Sequence, residues 1–306
     1  MITIVEQVKE IIKQDRLTNS DVARQSGVSP QILSPLLKDK YTSCPDAHIE
    51  KLANWLSTYK SGKETRADAC QDPVWVETPT AKKLLDMMRL SQGFNAWTMA
   101  YEGAGVGKTK AARHYQQNNS NVWIVTASPH NKARRAFLSL IAREMGLNAN
   151  GMTIDRLDYE IIQRITGSNG LLIIDEAQYV TDDSLNGLRI LTEDRIGVTL
   201  LGNDVVRSRM SAPKSRANMY PIWSRILKSH KVVKSTQKDI YTYIRAWGIT
   251  DKNVIEWAYK VIPSTTGQIR TLRNLIRLAI SIAQDKREPV GVAHMESAFN
   301  FIREVA

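Results

Sequence analysis

A glycine-rich loop between an apolar strand and a helix leaves this chain few possible folds. Residues 96–101 (AWTMAY) are typical of a short buried strand, and they run directly into EGAGVGKTKAA at 102–112. Alternate glycines let backbone N–H groups converge on phosphate oxygens, because no Cβ blocks the approach. A strand, a loop and a helix in this order predict a phosphate-binding loop in an α/β fold.

The side chains of this loop predict that it binds a nucleoside triphosphate, ATP, together with Mg²⁺. Lys108 offers a cation to the β and γ phosphates, and the hydroxyl of Thr109 can coordinate Mg²⁺. Glu102 stands where the usual pattern has its first glycine. The residues that we expect to bind the nucleotide are Gly103, Ala104, Gly105, Val106, Gly107, Lys108, Thr109 and Lys110.

A second apolar segment, GLLIIDEAQ at 170–178, ends in two acids. Its continuous apolar run suits a parallel strand that is buried on both faces. We expect Asp175, at the end of the strand, to hold Mg²⁺ through water. Glu176 is then expected to polarise the attacking water as a general base. The pair predicts hydrolysis of the bound nucleotide.

Three further strands are predicted at 121–127 (NVWIVTA), 197–203 (GVTLLGN) and 231–234 (KVVK). Five strands that alternate with helices predict a parallel sheet covered on both faces. The amide of Asn203, at the end of its strand, could orient the attacking water. After residue 236 the pattern becomes four amphipathic segments separated by Gly, Pro or Asp, which predicts a helical C-terminal region.

The first 58 residues predict short helices with a short turn between the second and the third. Gly27 interrupts the second helix, and Ser29-Pro30 begins the third. The string LTNSDVARQSGVSPQILSPLLKDKY resembles the helix-turn-helix of phage repressors, although Pro35 falls inside the third helix. The alternative is a small helical bundle that binds protein, or nothing. The resemblance implies that the third helix meets the major groove of DNA through Gln31, Ser34 and Lys38.

The charge of the chain indicates a polyanionic partner. Lys and Arg number 42 against 31 Asp and Glu, which gives a net charge of +11. Between Asp204 and Asp239 the chain has basic residues and no acid. We therefore expect this segment to contact the DNA backbone or the nucleotide of a neighbouring subunit. The alternative is an ordinary solvated surface. The basic residues of this segment are Arg207, Arg209, Lys214, Arg216, Arg225, Lys228, Lys231, Lys234 and Lys238.

Two other kinds of protein are disfavoured by the sequence. Its 2 cysteines and 5 scattered histidines lack the ligand spacing of a zinc site. No apolar run approaches the roughly 18 residues that would span a bilayer, and the N-terminus is charged throughout. We therefore expect a soluble, cytoplasmic protein without a membrane partner.

The loop, the acidic pair and the helical C-terminus together resemble the AAA+ ATPases. That resemblance implies that Asn203 is the sensor 1 residue and that Arg225, just before the fifth strand, is an arginine finger for the adjacent subunit. Arg270 in GQIR resembles sensor 2, with Arg273 as a competing candidate and an ordinary polar helix face as the alternative. Related ATPases insert a DNA-contacting helix or loop after the second strand. The candidates for DNA contact, against a plain surface helix, are therefore Lys132, Arg134 and Arg135, beside Arg207 and Arg209.

These features divide the chain into four parts. A small all-α helix-turn-helix domain is expected at 1–58 and a polar linker at 59–75. An α/β AAA+ P-loop ATPase core with a five-stranded parallel sheet follows at 76–235, and a C-terminal helical lid at 236–306.

The whole arrangement resembles the Mu B-like ATPases, which select target DNA for transposition. The shared parts are GAGVGKTKAARHY, NNSNVW, LLIIDEAQ, LLGN, SRI and LIRLA. The resemblance implies ATP-dependent assembly into helical filaments on double-stranded DNA with little sequence specificity. It further implies stimulation of a partner transposase in the bacterial host cell. A nucleotide-switched transcription regulator and a helicase loader remain alternatives.

Overall fold

The computed structural model describes residues 3–15, 17–38, 46–67, 72–101, 103–211 and 216–304. The chain divides into two compact units, Met1–Gln71 and Asp72–Ala306. The first unit contains helices α1 (Ile4–Gln14), α2 (Asn19–Ser26), α3 (Pro30–Leu37) and α4 (Asp46–Ala67). These helices enclose one apolar core, whose fully buried members include Val8, Val22, Leu33 and Leu52.

Local polar contacts set the ends of the first two helices. Thr3 and Thr18 begin α1 and α2, each in a capping box with an acid three residues later. Gly27 ends α2 with a φ of +70°, a left-handed conformation that glycine adopts without steric cost. Two short helices separated by a glycine turn are therefore present, as the sequence predicted.

The expected DNA-reading face lies on α3. Gln31 and Lys38 are exposed and Ser34 is half-buried, while Pro35 lies inside the helix. Recognition of DNA by this helix stays a prediction.

The expected linker at 59–75 differs from the structure in its first part. Helix α4 continues to Ala67, so residues 59–67 are helical rather than irregular. Lys, Glu, Arg and Ala all favour helices, and together they extend α4 although the segment lacks apolar periodicity. The two compact units divide after Gln71, inside the stretch expected to be a linker.

The second unit is built on one parallel sheet. Its described strands are β1 (Trp97–Tyr101), β2 (Val122–Thr126), β3 (Leu171–Asp175), β4 (Gly197–Leu201) and β5 (Ile226–Lys231), in the order β2-β3-β4-β1-β5. The inner strands β3, β4 and β1 are buried along their whole length, as their apolar sequences predicted.

Helices cover both faces of this sheet. They are α5 (Pro79–Gly93), α6 (Lys108–Asn118), α7 (Arg134–Glu144), α8 (Ile154–Ile165), α9 (Asp182–Thr192), α10 (Asp204–Ser211) and α11 (Arg216–Trp223). Alternate residues of β3 enter two different cores, because successive side chains of a strand point to opposite faces. Leu172 and Ile174 pack with α7 and α8, and Leu171 and Ile173 pack with α5 and α6.

The position expected for the fifth strand is wrong. The strand is Ile226–Lys231 (ILKSHK) and not KVVK at 231–234, so that only Lys231 belongs to both. It lies at the sheet edge and pairs with β1 alone, from Trp97 opposite Ile226 to Tyr101 opposite Lys231. An edge strand with exposed side chains needs no continuous apolar run, and the sequence signal is therefore weak.

The described C-terminal residues form four helices, as predicted: α12 (Gln237–Ala246), α13 (Lys252–Val261), α14 (Gln268–Lys286) and α15 (Val292–Glu304). We call them the lid. They share a core of their own, in which Ile240, Ile244, Leu272 and Ile276 are fully buried. None of the described helices combines the length and the apolar character that a bilayer crossing requires.

Candidate nucleotide-binding and catalytic site

The glycine-rich loop leaves β1 at the carboxyl edge of the sheet and enters α6 at Lys108. Gly103, Gly105 and Gly107 all have positive φ, at +54°, +71° and +100°. Two of them also have no room for a side chain. A Cβ atom would lie 2.2 Å from the carbonyl oxygen of Val232 at Gly103, and 1.8 Å from that of Gly267 at Gly105.

This packing joins the loop to the lid. The backbone N–H of Arg270, in the first turn of α14, donates to the carbonyl oxygen of Gly105 at 3.2 Å. Any residue other than glycine would be strained at these positions, and at Gly105 it would also push the lid away. Glu102, the departure from the usual pattern, lies outside the described residues.

Lys108 is half-buried at the start of α6, and its Nζ donates to the carbonyl oxygen of Gly103 at 2.8 Å. Burial lowers the pKa of Lys108, and the neighbouring carboxylates of Asp175 and Glu176 partly offset that effect. The ammonium thus lies among the loop carbonyls and the two acids, where an incoming phosphate would meet it.

Thr109 and Asp175 form the part of the site that suits a metal ion. The Thr109 hydroxyl donates to Asp175 Oδ2 at 2.7 Å, and Asp175 is only 4% exposed. The other carboxylate oxygen accepts the backbone N–H of Glu176 at 3.0 Å. A hydroxyl and a carboxylate are the oxygen ligands that Mg²⁺ prefers, so the residues present fit this ion.

Glu176 follows β3 in the left-handed region, with a φ of +55°. Its side chain is exposed to the cavity, and the side-chain amide of Gln178 donates to its carboxylate. A glutamate in this conformation is uncommon, and backbone strain of this kind is often found where a side chain is held for a function.

Asn203 follows β4 and lines the same cavity. Its Oδ1 accepts the backbone N–H of Val205 at 3.0 Å, and its own N–H donates to Gln178 Oε1 at 3.4 Å. The acid after β3 and the amide after β4 thus line one cavity, because these two parallel strands are neighbours in the sheet.

The cavity between the loop and the lid has a volume of about 700 Å³. Arg270 lines it from the lid, as expected for a sensor 2 residue. Arg273, the competing candidate, also lines it but forms an ion pair with Asp72. The loop residues 103–110 are brought together there with Asp175, Glu176, Asn203 and Arg270.

Arg225 is not among the residues of this cavity. It lies directly before β5, where its guanidinium contacts Glu193 and donates to the carbonyl oxygen of Pro221 at 2.8 Å. The hydrogen bond from Arg225 lowers the pKa of the Glu193 carboxyl. Arg225 is therefore not part of the nucleotide site of its own chain.

The basic candidates for DNA contact lie in different environments. Lys132, Arg134 and Arg135 are exposed around the start of α7, where Arg134 forms an ion pair with Asp158 at 2.8 Å. Arg207 lies over the ring of Trp223, 4.5 Å from its centre. Lys214 is outside the described residues.

Arg209 differs from these residues because its guanidinium contacts three acceptors of the protein at once. It donates to the carbonyl oxygens of Gln178 and Val180 at 3.2 and 2.9 Å and pairs with Asp182. Its expected role in DNA contact finds no support in this arrangement.

Sequence reasoning missed several residues of the site. Gln178 was present in the string GLLIIDEAQ, and its position beside Glu176 was the available signal. Two more missed residues, Gly202 and Ile269, stand in the strings LLGN and GQIR. The other missed residues of the cavity had no local motif: Asp204, Val205, Ser208 and Tyr243.

Comparison with known proteins agrees with this geometry. Two family models match adjoining parts of the chain, an AAA domain at residues 103–210 and the C-terminal part of the Mu B transposition protein at 224–301. The Mu-like prophage FluMu DNA transposition protein B of Haemophilus influenzae is 32% identical over 88% of this chain and 94% of its own length. The chain belongs to the Mu B family. The ATP-dependent target DNA activator B of Escherichia phage Mu is 30% identical to it, over 95% of this chain and 92% of the phage protein.

A solved structure places this Mu B family protein in the AAA+ fold. The ORC2 protein of Aeropyrum pernix is similar with a TM-score of 0.57 and 19% identity, over 72% of this chain and 66% of that chain, just under two thirds of its length. At this identity the similarity concerns the fold alone. Together with the AAA domain, it makes the chain an AAA+ ATPase, as the loop and the acidic pair predicted.

Proposed function

We propose that this Mu B family protein uses ATP to assemble into helical filaments on double-stranded DNA, selects that DNA as a transposition target and activates a transposase. One observation carries the proposal: Lys108, Thr109, Asp175 and Glu176 meet in a cavity that Arg270 completes from the lid. Two phage relatives are named ATP-dependent target DNA activators, which supports the same function for this chain.

Each side chain of the cavity has a distinct role in this proposal. Lys108 binds the terminal phosphates, and the oxygens of Thr109 and Asp175 would hold Mg²⁺. Bound Mg²⁺ would offset the negative charge of the β and γ phosphates. Glu176 accepts a proton from the attacking water, and Asn203 orients that water.

Assembly completes the site in this proposal. Arg225 lies outside the cavity of its own chain, and in this proposal it contacts the nucleotide of a neighbouring copy, as the resemblance to AAA+ ATPases implies. An arginine supplied in this way accelerates hydrolysis by about 10³ to 10⁵ in nucleotide hydrolases. Lys132, Arg134, Arg135 and Arg207 supply cations for DNA phosphates, and contacts of that kind carry no sequence information.

Two substitutions test the division of roles in the cavity. We expect Lys108→Ala to abolish both nucleotide binding and ATP-dependent DNA binding, because it removes the cation for the phosphates. Glu176→Gln should keep both and give long-lived assemblies, because only the base is lost. Binding of a fluorescent ATP analogue and electron microscopy on random duplex DNA measure the two effects.

Arg113→Ala is the control, because Arg113 is an exposed residue on α6, the helix that begins at Lys108. Equal loss of DNA binding in the Lys108 and Glu176 variants contradicts the assignment.

The choice of DNA separates this function from its alternatives. On random duplex with ATP, affinity should equal that of the best selected sequence. It should also fall steeply with salt, because each neutralised phosphate releases counterions. A strong preference for a palindrome would instead favour a transcription regulator.

A further inference from the structure

We propose that Arg209 is a positioning residue for the carboxylate of Glu176, and that the side chain of Gln178 completes this arrangement. The inference rests on the proposed role of Glu176 in hydrolysis. It removes Arg209 from the candidate DNA contacts and gives it a role inside the ATPase site.

Arg209 closes over the segment that follows Glu176. From the last turn of α10, one nitrogen of its guanidinium donates to the carbonyl oxygens of Gln178 and Val180, at 3.2 and 2.9 Å. The other nitrogen pairs with Asp182, at the start of α9. Only 24% of the Arg209 side chain is exposed. The planar guanidinium presents its donors from separate nitrogens in a fixed fork and so holds three acceptors in one orientation, whereas the three donors of a lysine share a single nitrogen on a flexible stem.

Gln178 connects this segment to the reacting group. Its side-chain nitrogen donates to Glu176, and its side-chain oxygen accepts the backbone N–H of Asn203 at 3.4 Å. The space for this amide depends on Gly202, where a Cβ atom would lie 2.9 Å from Gln178 Oε1. The side-chain amide of Gln178 therefore connects Glu176, after β3, to Asn203, after β4.

The conformation of Glu176 explains why such support is needed. A left-handed φ of +55° is unfavourable for a residue other than glycine, so contacts within the surrounding structure are needed to hold it. A general base must also lie within hydrogen-bond reach of its water, and a displacement of about 1 Å can cost about 100-fold in rate. Arg209 fixes the backbone after Glu176, and Gln178 fixes its carboxylate.

The first experiment measures hydrolysis and DNA binding of the full-length Arg209→Gln variant. We expect kcat to fall by about 10- to 100-fold, with KM and the affinity for a fluorescent ATP analogue unchanged. The slope of log affinity against log salt on random duplex should also be unchanged, because no phosphate contact is lost. Arg156→Gln is the matched control, since it removes the ion pair between the exposed Arg156 and Glu160 on α8.

The second experiment tests whether Arg209 acts through Glu176. In a Glu176→Gln background, Arg209→Gln should not lower the residual single-turnover rate further, because the base that it positions is already absent. A second loss as large as the first would overturn the proposal.

A third variant guards against a folding defect. Gln178→Met keeps the approximate shape of the side chain and loses both hydrogen bonds of the amide, so a similar fall in kcat is expected. If Arg209→Gln is unfolded at the assay temperature, the test depends on Gln178→Met. A folded Gln178→Met variant with the kcat of the wild type then overturns the proposal. So does an Arg209 variant with normal kcat and a salt slope reduced by about one, which would make Arg209 a DNA contact. A wild-type chain that hydrolyses no ATP would refute the proposed function itself, and the role of Glu176 with it.

Discussion

At the scale of single residues, Gly105 connects the nucleotide loop to the lid. We expect Gly105→Ala to weaken nucleotide binding by about tenfold or more, equivalent to about 1.4 kcal/mol, because the new Cβ would meet the carbonyl oxygen of Gly267 at 1.8 Å. That atom is backbone, so the lid itself must shift. Titration with a fluorescent ATP analogue measures the effect.

A second glycine separates this contact from backbone strain alone. Gly248 has a φ of +77°, close to that of Gly105, but a Cβ there would have open space. Gly248→Ala should therefore destabilise the fold slightly and leave nucleotide affinity unchanged. If both variants bind nucleotide equally weakly, the lid contact is not the cause.

The residues that could be predicted from the sequence are those fixed by local pattern. Lys108 and Thr109 follow from the loop, and Asp175 and Glu176 follow from their place after a buried strand. The partners of Arg209 and Arg273 could not be predicted in this way. The Arg273–Asp72 contact joins residues 201 positions apart, and only the complete fold brings them together.

At the scale of elements, a buried carboxylate connects α5 to α12. Asp239 is 1% exposed and accepts four hydrogen bonds, two from Thr80 and two from Thr236, at 2.7 to 2.8 Å. Burial opposes ionisation of this carboxyl, but the hydrogen bonds outweigh it and hold the pKa of Asp239 below its usual value of 3.8.

We expect Asp239→Asn to lower the free energy of unfolding by about 2 to 4 kcal/mol at pH 7, because buried donors lose a charged acceptor. A depressed pKa means that this stability is present above pH 3.8 and is lost as the pH falls through the folded-state value. The difference from wild type should therefore be constant between about pH 7 and 5 and shrink below 3.8. Urea unfolding at each pH measures it.

The capping box of α2 provides the matched control. There Asp21 accepts from Thr18 in the same way, but the box is exposed and lies in the N-terminal unit. Asp21→Asn should cost much less stability. Equal losses at Asp21 and Asp239 would contradict a role for the contact with Thr80.

The elements themselves were predictable to different degrees. Four of the five strands and the four lid helices follow from apolar runs and helical periodicity. Strand β5 was misplaced because its partner lies on one side only, so polar side chains such as Lys228 and Ser229 are tolerated. The helical end of α4 was missed because a polar segment can have helix propensity without an apolar stripe.

At the scale of the whole molecule, the place of Arg225 predicts that activity depends on assembly. The Arg225→Ala variant should bind ATP normally, because Arg225 lies outside the cavity of its own chain. It should lose hydrolysis, because the nucleotide of the neighbouring copy then lacks its arginine. A mixture with Lys108→Ala should recover part of the rate, since each variant retains the part that the other lacks. Phosphate release across a series of mixing ratios measures the recovery. An inactive mixture at every ratio would contradict a role for Arg225 across subunits.

The register of β1 and β5 has a consequence for how such copies would join. Arg225 precedes Ile226, which pairs with the first residue of β1, whereas the glycine-rich loop follows Tyr101, its last residue. These points therefore lie at opposite ends of the two parallel strands, five residues or about 16 Å apart. If Arg225 of one copy contacts the loop of the next, the two copies associate head to tail, and repeated head-to-tail contacts build rings or open helices. An open helix of this kind has polarity: one terminal subunit offers a vacant nucleotide cavity and the other an unused arginine, so growth and shrinkage would differ between the two tips.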